Sequence, residues 1–237
     1  MYYAIPGRAR GWRRFYRQFV FPGELCFDVG AHVGNRTAAL LTIGANVLAL
    51  EPQPLFAGVL QRLYGKNPHF DLLLSAVGGQ PGRVEMLLSS RTPTVATLSE
   101  EWVVEVRKTP GFSKIHWDER LEVEATTLDN LIAKYGLPAF CKLDIEGYEL
   151  EALRDLSQPI RVISFEYLPA VIETALACLD RLMELGDYRF NIVEDEVPHF
   201  ALPAWANQDE VADLIRRKRR DERAGEVYAQ LGRVSRR

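Results

Sequence analysis

The chain has 237 residues, of which 47% are hydrophobic and 26% are charged, enough apolar material for one sizeable core. These proportions exclude a disordered or a fibrous protein. The formal net charge of -3 gives no overall attraction to nucleic acid or to an anionic membrane, so either affinity would need a local patch.

Long apolar segments are missing from the sequence. No run of about 18 apolar residues occurs, which excludes a transmembrane helix, and the N-terminal segment lacks the apolar region and cleavage site of a secretory signal. Cys26, Cys141 and Cys178 follow no metal-binding spacing, and the first two sit in apolar strand-like runs. The prediction is a cytoplasmic protein in a reducing environment.

Two segments are strongly basic. Residues 8–20 interleave arginines with aromatic residues, and residues 215–223 contain six basic residues. We interpret residues 1–22 as a basic-aromatic arm that caps the domain, and the second segment as a solvated helix face. The alternative for the arm is a peripheral contact of residues 8–20 with a membrane surface.

Apolar runs and helical segments alternate along the first part of the chain. Strands are predicted at 24–30, 46–52 and 70–78, and helices at 35–44 and 55–67. Strands that are buried on both faces and separated by helices indicate a parallel sheet with right-handed crossovers.

The second part resumes this pattern after an interruption. Residues 80–127 are predicted to be an insertion at the ligand-binding edge of the sheet, either covering a substrate or forming a mere hairpin. The later elements are a strand at 140–147, a helix at 148–156, a strand at 161–167, a helix at 170–186, two closing strands at 188–196 and 199–205, and a charged helix at 207–237. Residues 23–237 are thus predicted to form one domain.

The stretch "FDVGAHVGN" (27–35) places an acid and a glycine turn directly after the first strand. The glycine spacing fits a pyrophosphate-binding loop poorly, because Ala31 and His32 separate Gly30 from Val33 and Gly34. Asp28 would repel a phosphate and attract an ammonium group. The motif therefore indicates a ligand with a cationic end.

A second acid, Glu51, ends the second strand 23 positions after Asp28. An acid in that place can accept hydrogen bonds from both hydroxyls of a ribose. Ser75, at the end of the third strand, could meet an adenine together with backbone groups. Adenosine joined to a cationic amino-acid tail describes S-adenosylmethionine.

A third motif, "CKLDIEGYELEALR" (141–154), carries a family resemblance. It is similar to the K-[IVL]-D-[IV]-E-G-x-E motif of the FkbM family of S-adenosylmethionine-dependent methyltransferases, which Lys142, Asp144, Glu146, Gly147 and Glu149 fill. "FDVGAHVGNRT", Glu51, "TLDNLI" and "VISFEY" extend the resemblance over residues 24–168. His32 departs from it, since the family usually has Asn there.

The resemblance implies a Rossmann-like methyltransferase fold, an α/β architecture whose seven-stranded, mostly parallel sheet has an antiparallel last strand. It implies S-adenosylmethionine as cofactor and O-methyl transfer to a sugar, a glycolipid or another small natural product. The predicted cofactor-binding residues are Asp28, Gly30, Ala31, His32, Gly34, Asn35, Thr37, Glu51, Ser75, Ala76 and Asp144.

Methyl transfer to an alcohol needs a general base near the methyl group. Asp144 is the predicted base, and Glu166, at the end of a later strand, is predicted to assist. If Asp144 only binds the cofactor, His116 or His199 are alternative bases. No divalent metal is expected, although Asp144, Glu146 and Glu166 all offer oxygen ligands.

Two other functions remain open from the sequence. Methylation of a nucleic acid is suggested by the basic segments, but the net charge and the lack of an N-P-P-Y type motif argue against it, so no nucleic-acid partner is expected. A non-catalytic cofactor-binding subunit is the other alternative. Whether Asp144 and Glu166 line an open acceptor pocket separates this non-catalytic alternative from an enzyme.

Overall fold

The computed structural model describes residues 8–232. The strands are β1 (Leu25–Val29), β2 (Asn46–Leu50), β3 (Phe70–Leu73), β4 (Ala76–Val77), β5 (Gly82–Leu88), β6 (Glu119–Thr126), β7 (Phe140–Leu143), β8 (Val162–Tyr167), β9 (Tyr188–Glu194) and β10 (Gly225–Leu231). The helices are α1 (Arg8–Tyr16), α2 (Asn35–Ile43), α3 (Pro54–Tyr64), α4 (Glu100–Val106), α5 (Leu128–Tyr135), α6 (Glu149–Arg154), α7 (Ile172–Leu185) and α8 (Gln208–Arg216).

The main sheet has seven strands in the order β3-β2-β1-β7-β8-β10-β9. β1 pairs in parallel with both β2 and β7, and β7 pairs in parallel with β8, whereas β10 runs antiparallel to β8 and β9. The carboxyl ends of β2, β1, β7 and β8 therefore meet at one edge. This topology confirms the predicted mostly parallel, Rossmann-like sheet with one reversed strand.

The predicted strand at 70–78 is in fact two strands in different sheets. β3 lies at the edge of the main sheet, and β4 pairs with β6 in a separate three-stranded sheet of order β4-β6-β5. Between them Leu74 is 51% exposed, and the Ser75 hydroxyl donates to the Glu124 carbonyl at 3.1 Å. The apolar run does not reveal this break, because both strands bury apolar side chains.

The predictions for the last forty or so residues are wrong in two places. Residues 199–205 form no regular strand, and Asn191 holds this loop by donating to the carbonyls of Leu202 and Ala204. The predicted helix at 207–237 ends at Arg216, and β10 follows. The continuously buried residues "GEVYA" (225–229) fill the slot between β8 and β9, which the proline-containing loop could not fill with a continuous hydrogen-bond ladder.

The arm packs against the domain. Trp12, Phe15, Tyr16 and Phe19 are all at most 4% exposed and join a core cluster that includes Tyr228 of β10. The aromatic face of the arm thus packs on the domain and is turned away from solvent. None of the helices formed by residues 8–232 combines the length and the apolar character needed to cross a bilayer. Residues 1–7 of the predicted arm lie outside the described residues.

Candidate active site

A cavity of about 660 Å³ opens at the edge where the parallel strands end. Its volume is in the usual range of small-ligand sites. Because the strands stand in the order β2, β1, β7, β8, the acids that follow or end them line up in the order Glu51, Asp28, Asp144, Glu166 along the cavity. Of the predicted site residues, all but Gly34 and Thr37 line it.

The glycine turn after β1 lets two strand ends approach closely. Gly30 has φ +77°, and a Cβ built on it would lie 1.9 Å from the Asp144 carbonyl oxygen. Gly30 and Ala31 both donate their backbone N–H to the Leu50 carbonyl, at 2.9 and 3.0 Å. Only glycine fits this turn, which ties the loop to β2 and brings it against the segment after β7.

Gly34 and Thr37 do not line the cavity but hold the residues that do. Gly34, at φ +83°, precedes α2 and packs so closely on α3 that a Cβ would come within 2.6 Å of Tyr64. The Thr37 hydroxyl donates to Asp28 Oδ2 at 2.6 Å and so fixes that carboxylate. Asn35, at the start of α2, lines the cavity.

Asp28 is 1% exposed, lines the cavity and has one unsatisfied carboxylate oxygen. Its Oδ1 has no hydrogen-bond partner among residues 8–232. Burial raises the pKa of Asp28, while Lys142 and the bond from Thr37 oppose that rise. A buried acceptor without a partner is costly, so this atom fits a donor from a ligand.

Glu51 is 3% exposed and accepts two backbone hydrogen bonds. Its Oε2 accepts from the His32 N–H and its Oε1 from the Gln53 N–H, each at 2.9 Å. Burial nevertheless raises the pKa of Glu51 to about 7. Each oxygen retains a lone pair for a hydroxyl donor.

His32 and Ser75 contribute less chemistry than their residue types suggest. The His32 ring packs 3.8 Å from the ring of Phe56, centroid to centroid, on a backbone with φ +49°. Burial lowers the pKa of His32. The Ser75 hydroxyl bonds to backbone carbonyls, so Ser75 and Ala76 present mainly backbone and apolar surface.

Three carboxylates, from Asp144, Glu146 and Glu166, crowd the β7–β8 end of the cavity. One oxygen from each lies within 4.8 Å of the others, a spacing that a hard cation could use. Lys142 is 3% exposed and donates from Nζ to Asp144 Oδ2 at 2.5 Å. Glu146 reaches this place through a backbone with φ +51°.

The three acids differ in charge state. Burial alone would raise the pKa of Asp144, but the Lys142 ammonium outweighs it and lowers that pKa below its ordinary value. Burial, together with the charge of Asp144, raises the pKa of both Glu146 and Glu166 well above the ordinary range. Asp144 is thus held ionised, whereas Glu146 and Glu166 are the stronger bases of the three.

Residues 91–98, which are part of the insertion, form a strap over the cavity. The Gln53 side chain donates to the Pro93 carbonyl at 3.2 Å, and the Thr97 hydroxyl donates to the Glu146 carbonyl at 2.7 Å. Trp117 holds the middle of the strap through a 2.8 Å bond from Nε1 to the Val95 carbonyl. The insertion covers the site rather than forming a hairpin away from it.

Four further charged or aromatic residues line the cavity without having been predicted from the sequence. They are Trp12, Arg36, Arg91 and Glu196. Arg36 could have been predicted from the sequence, because it lies between two predicted site residues, Asn35 and Thr37, in the first turn of α2. Trp12 could not have been predicted, because the helical spacing of the arm does not show which surface of the domain the arm packs on.

The alternative bases do not reach the cavity. His116 and His199 are both exposed, and neither is among the residues that line it. Asp144 and Glu166 do line it, which was the observation needed to favour an enzyme over a cofactor-binding subunit.

Residues 28–212 match the FkbM methyltransferase domain, which is more than half of the chain. The chain belongs to the FkbM methyltransferase family. The family resemblance drawn from the motifs is thereby confirmed. The matched range includes neither the arm nor β10.

Individual proteins resemble this FkbM methyltransferase more distantly. The hexuronic acid methyltransferase AglP of Haloferax volcanii is 24% identical over 144 residues, 60% of this chain and 54% of AglP. The chain thus spans about half the length of that curated relative.

Two solved methyltransferase structures can also be superposed on the chain. Precorrin-6y C5,15-methyltransferase of Geobacter metallireducens has a TM-score of 0.48 and 12% identity, over 95% of this chain and 86% of its own. A SAM-dependent O-methyltransferase of Thermotoga maritima has a TM-score of 0.46 and 12% identity, over 96% of this chain and 66% of the Thermotoga protein.

Proposed function

We propose that the protein binds S-adenosylmethionine in this cavity and methylates a hydroxyl of a carbohydrate or a similar small acceptor. The observation that carries the proposal is the order of the four acids along one cavity, with Glu51 and Asp28 at one end and Asp144 and Glu166 at the other. Membership in a methyltransferase family supports the reaction class.

The residues at the β1–β2 end fit this cofactor. Glu51 would accept the ribose hydroxyls, and the unpartnered Oδ1 of Asp28 would accept the ammonium group. Apolar side chains of Met86, Ala96 and Leu98 beside Ala76 would receive the adenine. When bound, the cofactor supplies an electrophilic methyl group on a sulfonium.

The acids at the β7–β8 end would receive the acceptor's proton. A general base works best when its pKa lies near the operating pH, and the raised pKa of Glu166 suits this better than the lowered pKa of Asp144. We therefore assign proton acceptance to Glu166. Asp144, fixed by Lys142, keeps a negative charge beside Glu166 and orients the acceptor.

Calorimetry and a transfer assay test the proposal. The full chain should bind S-adenosylmethionine, and a panel of neutral hexose and hexuronic acid glycosides, chosen because AglP acts on hexuronic acid, should yield a methylated product. A product that survives mild alkali is an ether, whereas a methyl ester on a carboxylate is hydrolysed. Absence of cofactor binding, or an alkali-labile product, would contradict the proposed hydroxyl methylation.

Variants of the two acids separate their roles. Glu166→Gln should lower kcat by about 100-fold or more while cofactor affinity stays within severalfold. Asp144→Asn should also lower turnover, and should move the acidic limb of the kcat profile to lower pH, because it removes the charge that raises the pKa of Glu166. Glu173→Gln, an exposed acid outside the cavity, is the matched control. Turnover should be unchanged by a chelator.

A further inference from the structure

The outer face of α1 carries uncompensated positive charge. Arg10, Arg14 and Arg17 are exposed and Arg13 is half-buried. Within residues 8–232, none of these four guanidinium groups forms a hydrogen bond or an ion pair. The spacing of three and four residues places them on one side of the helix and of the turn that follows it. We call these four residues the arginine stripe.

The other basic segment, residues 215–223, differs from the stripe because five of its six basic residues are paired, and only Arg217 has no partner among the described residues. Arg216 contacts Asp213 at 3.4 Å, Arg219 contacts Asp221 at 2.8 Å, and Lys218 contacts Glu194. Arg220 reaches Glu105 of α4 at 3.0 Å. The stripe therefore places four unpaired cations on one helix face, whereas the segment 215–223 offers one.

Packing of the opposite face of α1 holds the stripe in a fixed orientation. Trp12 and Tyr16 are 2% and 0% exposed, and Phe15 meets Tyr228 of β10 with ring centroids 5.2 Å apart. The helix cannot roll without exposing these rings. Phe21, near the end of the arm, is 54% exposed and offers one apolar side chain at the surface.

We propose that the arginine stripe docks this protein on an anionic lipid bilayer. A single convex helix face with four cations suits a planar surface, whereas proteins hold single-stranded nucleic acid in a basic groove lined with aromatic platforms. The aromatic residues of α1 are turned inward and cannot serve as such platforms. The net charge of -3 on the whole chain also disfavours a long polyanion that would track over its surface.

The position of the stripe relates it to the cavity. Trp12 lines the cavity from the inner face of the same helix. A docked bilayer would therefore lie about 10–12 Å from the cavity wall, the diameter of a helix. Resting on the proposed function, this geometry suits an acceptor carried by a lipid. The docking itself does not depend on any activity.

Vesicle co-sedimentation of the full chain tests the docking. Vesicles of phosphatidylcholine with about 30% phosphatidylglycerol should bind the protein at low salt, and vesicles of phosphatidylcholine alone should not. Sodium chloride at about 0.5 M should release it, because the attraction is between exposed charges.

A pair of double variants makes the test specific. Arg14→Gln with Arg17→Gln should lower the vesicle partition coefficient about 25-fold, at about fivefold for each arginine. Arg216→Gln with Arg219→Gln removes the same charge from the paired segment and should leave the coefficient within about twofold. Circular dichroism and the urea midpoint should show that both variants are folded.

Three outcomes would overturn the docking proposal. Equal loss of binding in both variants would show a general charge effect, and equal binding by the first variant and the unaltered chain would show that the stripe is not involved. Stronger binding to a DNA or RNA duplex than to vesicles, dependent on the same arginines, would make nucleic acid the partner. Loss of methyl transfer with retained vesicle binding would affect only the proposed function.

Discussion

The carboxylates of the cavity have different charge states because their immediate partners differ. Asp144 has the Lys142 ammonium at 2.5 Å, whereas Glu51 has only two backbone N–H groups to offset its burial. A full opposite charge outweighs the desolvation of Asp144, and two dipoles do not outweigh that of Glu51. The pKa of Glu51 therefore rises to about 7.

This value predicts a pH-dependent affinity for S-adenosylmethionine. Hydroxyl donors bind the ionised form of Glu51, so affinity should rise with pH through about 7, by about tenfold between about pH 6 and about pH 8. Calorimetry across this range measures it, and Glu51→Gln should flatten the profile. Glu149, whose pKa burial also raises to about 7 but which does not line the cavity, supplies the control variant Glu149→Gln, which should keep the slope. A slope that survives in Glu51→Gln would assign the titration to another group.

At the residue scale, the sequence motifs identified the site residues whose positions are fixed by the end of a neighbouring strand. Asp28, Gly30 and Glu51 each follow or end a strand whose apolar run is visible in the sequence, so their meeting at one edge could be predicted. The charge states of the carboxylates could not be predicted, because they depend on contacts such as that of Lys142 with Asp144. Trp12 and Glu196 reach the cavity from elements whose placement the sequence leaves open.

At the scale of elements, α1 is held by aromatic packing rather than by hydrogen bonds to the sheet. The Phe15 ring lies edge-on to Phe19, Phe200 and Tyr228, at centroid distances of 5.6, 4.7 and 5.2 Å. These contacts join the arm to the loop after β9 and to β10. Deleting one ring should therefore loosen three elements together.

Phe15→Ala is predicted to lower the free energy of unfolding by about 3–5 kcal/mol, because it removes a fully buried ring from a packed cluster. Phe21→Ala, which shortens an exposed ring, should change it by no more than about 0.5 kcal/mol. Urea denaturation of both variants measures the difference. Similar values for the two would mean that the arm does not form part of the cooperative core.

The elements that the sequence did not predict share a physical cause. β3 and β4 together form one continuous apolar run, and nothing local marks that their partners belong to different sheets. β10 follows a strongly charged helix, and these charges obscured its short run of buried residues. In both cases, whether and where the segment joins a sheet depends on a partner strand that is distant in the chain, β6 or β8.

At the scale of the whole molecule, a buried ion pair joins segments that are 190 residues apart. Arg36 of α2 lies 3.5 Å from Glu226 of β10, with side chains 14% and 10% exposed. The Arg36 guanidinium stacks on Trp12, 3.2 Å from the ring centroid, and the Ser164 hydroxyl donates to Glu226 at 2.7 Å. The arm, the cavity wall and β10 thus meet at one arginine.

Glu226→Gln is predicted to lower the free energy of unfolding by about 3 kcal/mol, because it leaves the Arg36 charge buried without its partner. Adding Arg36→Met should cost less than the sum of the single changes, by about 1 kcal/mol or more. Glu222→Gln, which breaks an exposed contact with Lys218, should cost no more than about 0.5 kcal/mol. Additive losses in the urea measurements would show that the two groups do not interact.

The place of β10 between β8 and β9 also has a consequence for synthesis on the ribosome. β9 reaches the sheet only through β10, so it has no partner in the main sheet until residues 225–231 have been made. Phe15 and Phe19 likewise wait for Tyr228, about 210 residues later in the chain, to complete their cluster. Until then the growing chain has unpacked aromatic rings and an open strand edge, the kinds of surface that lead to aggregation and that chaperones bind.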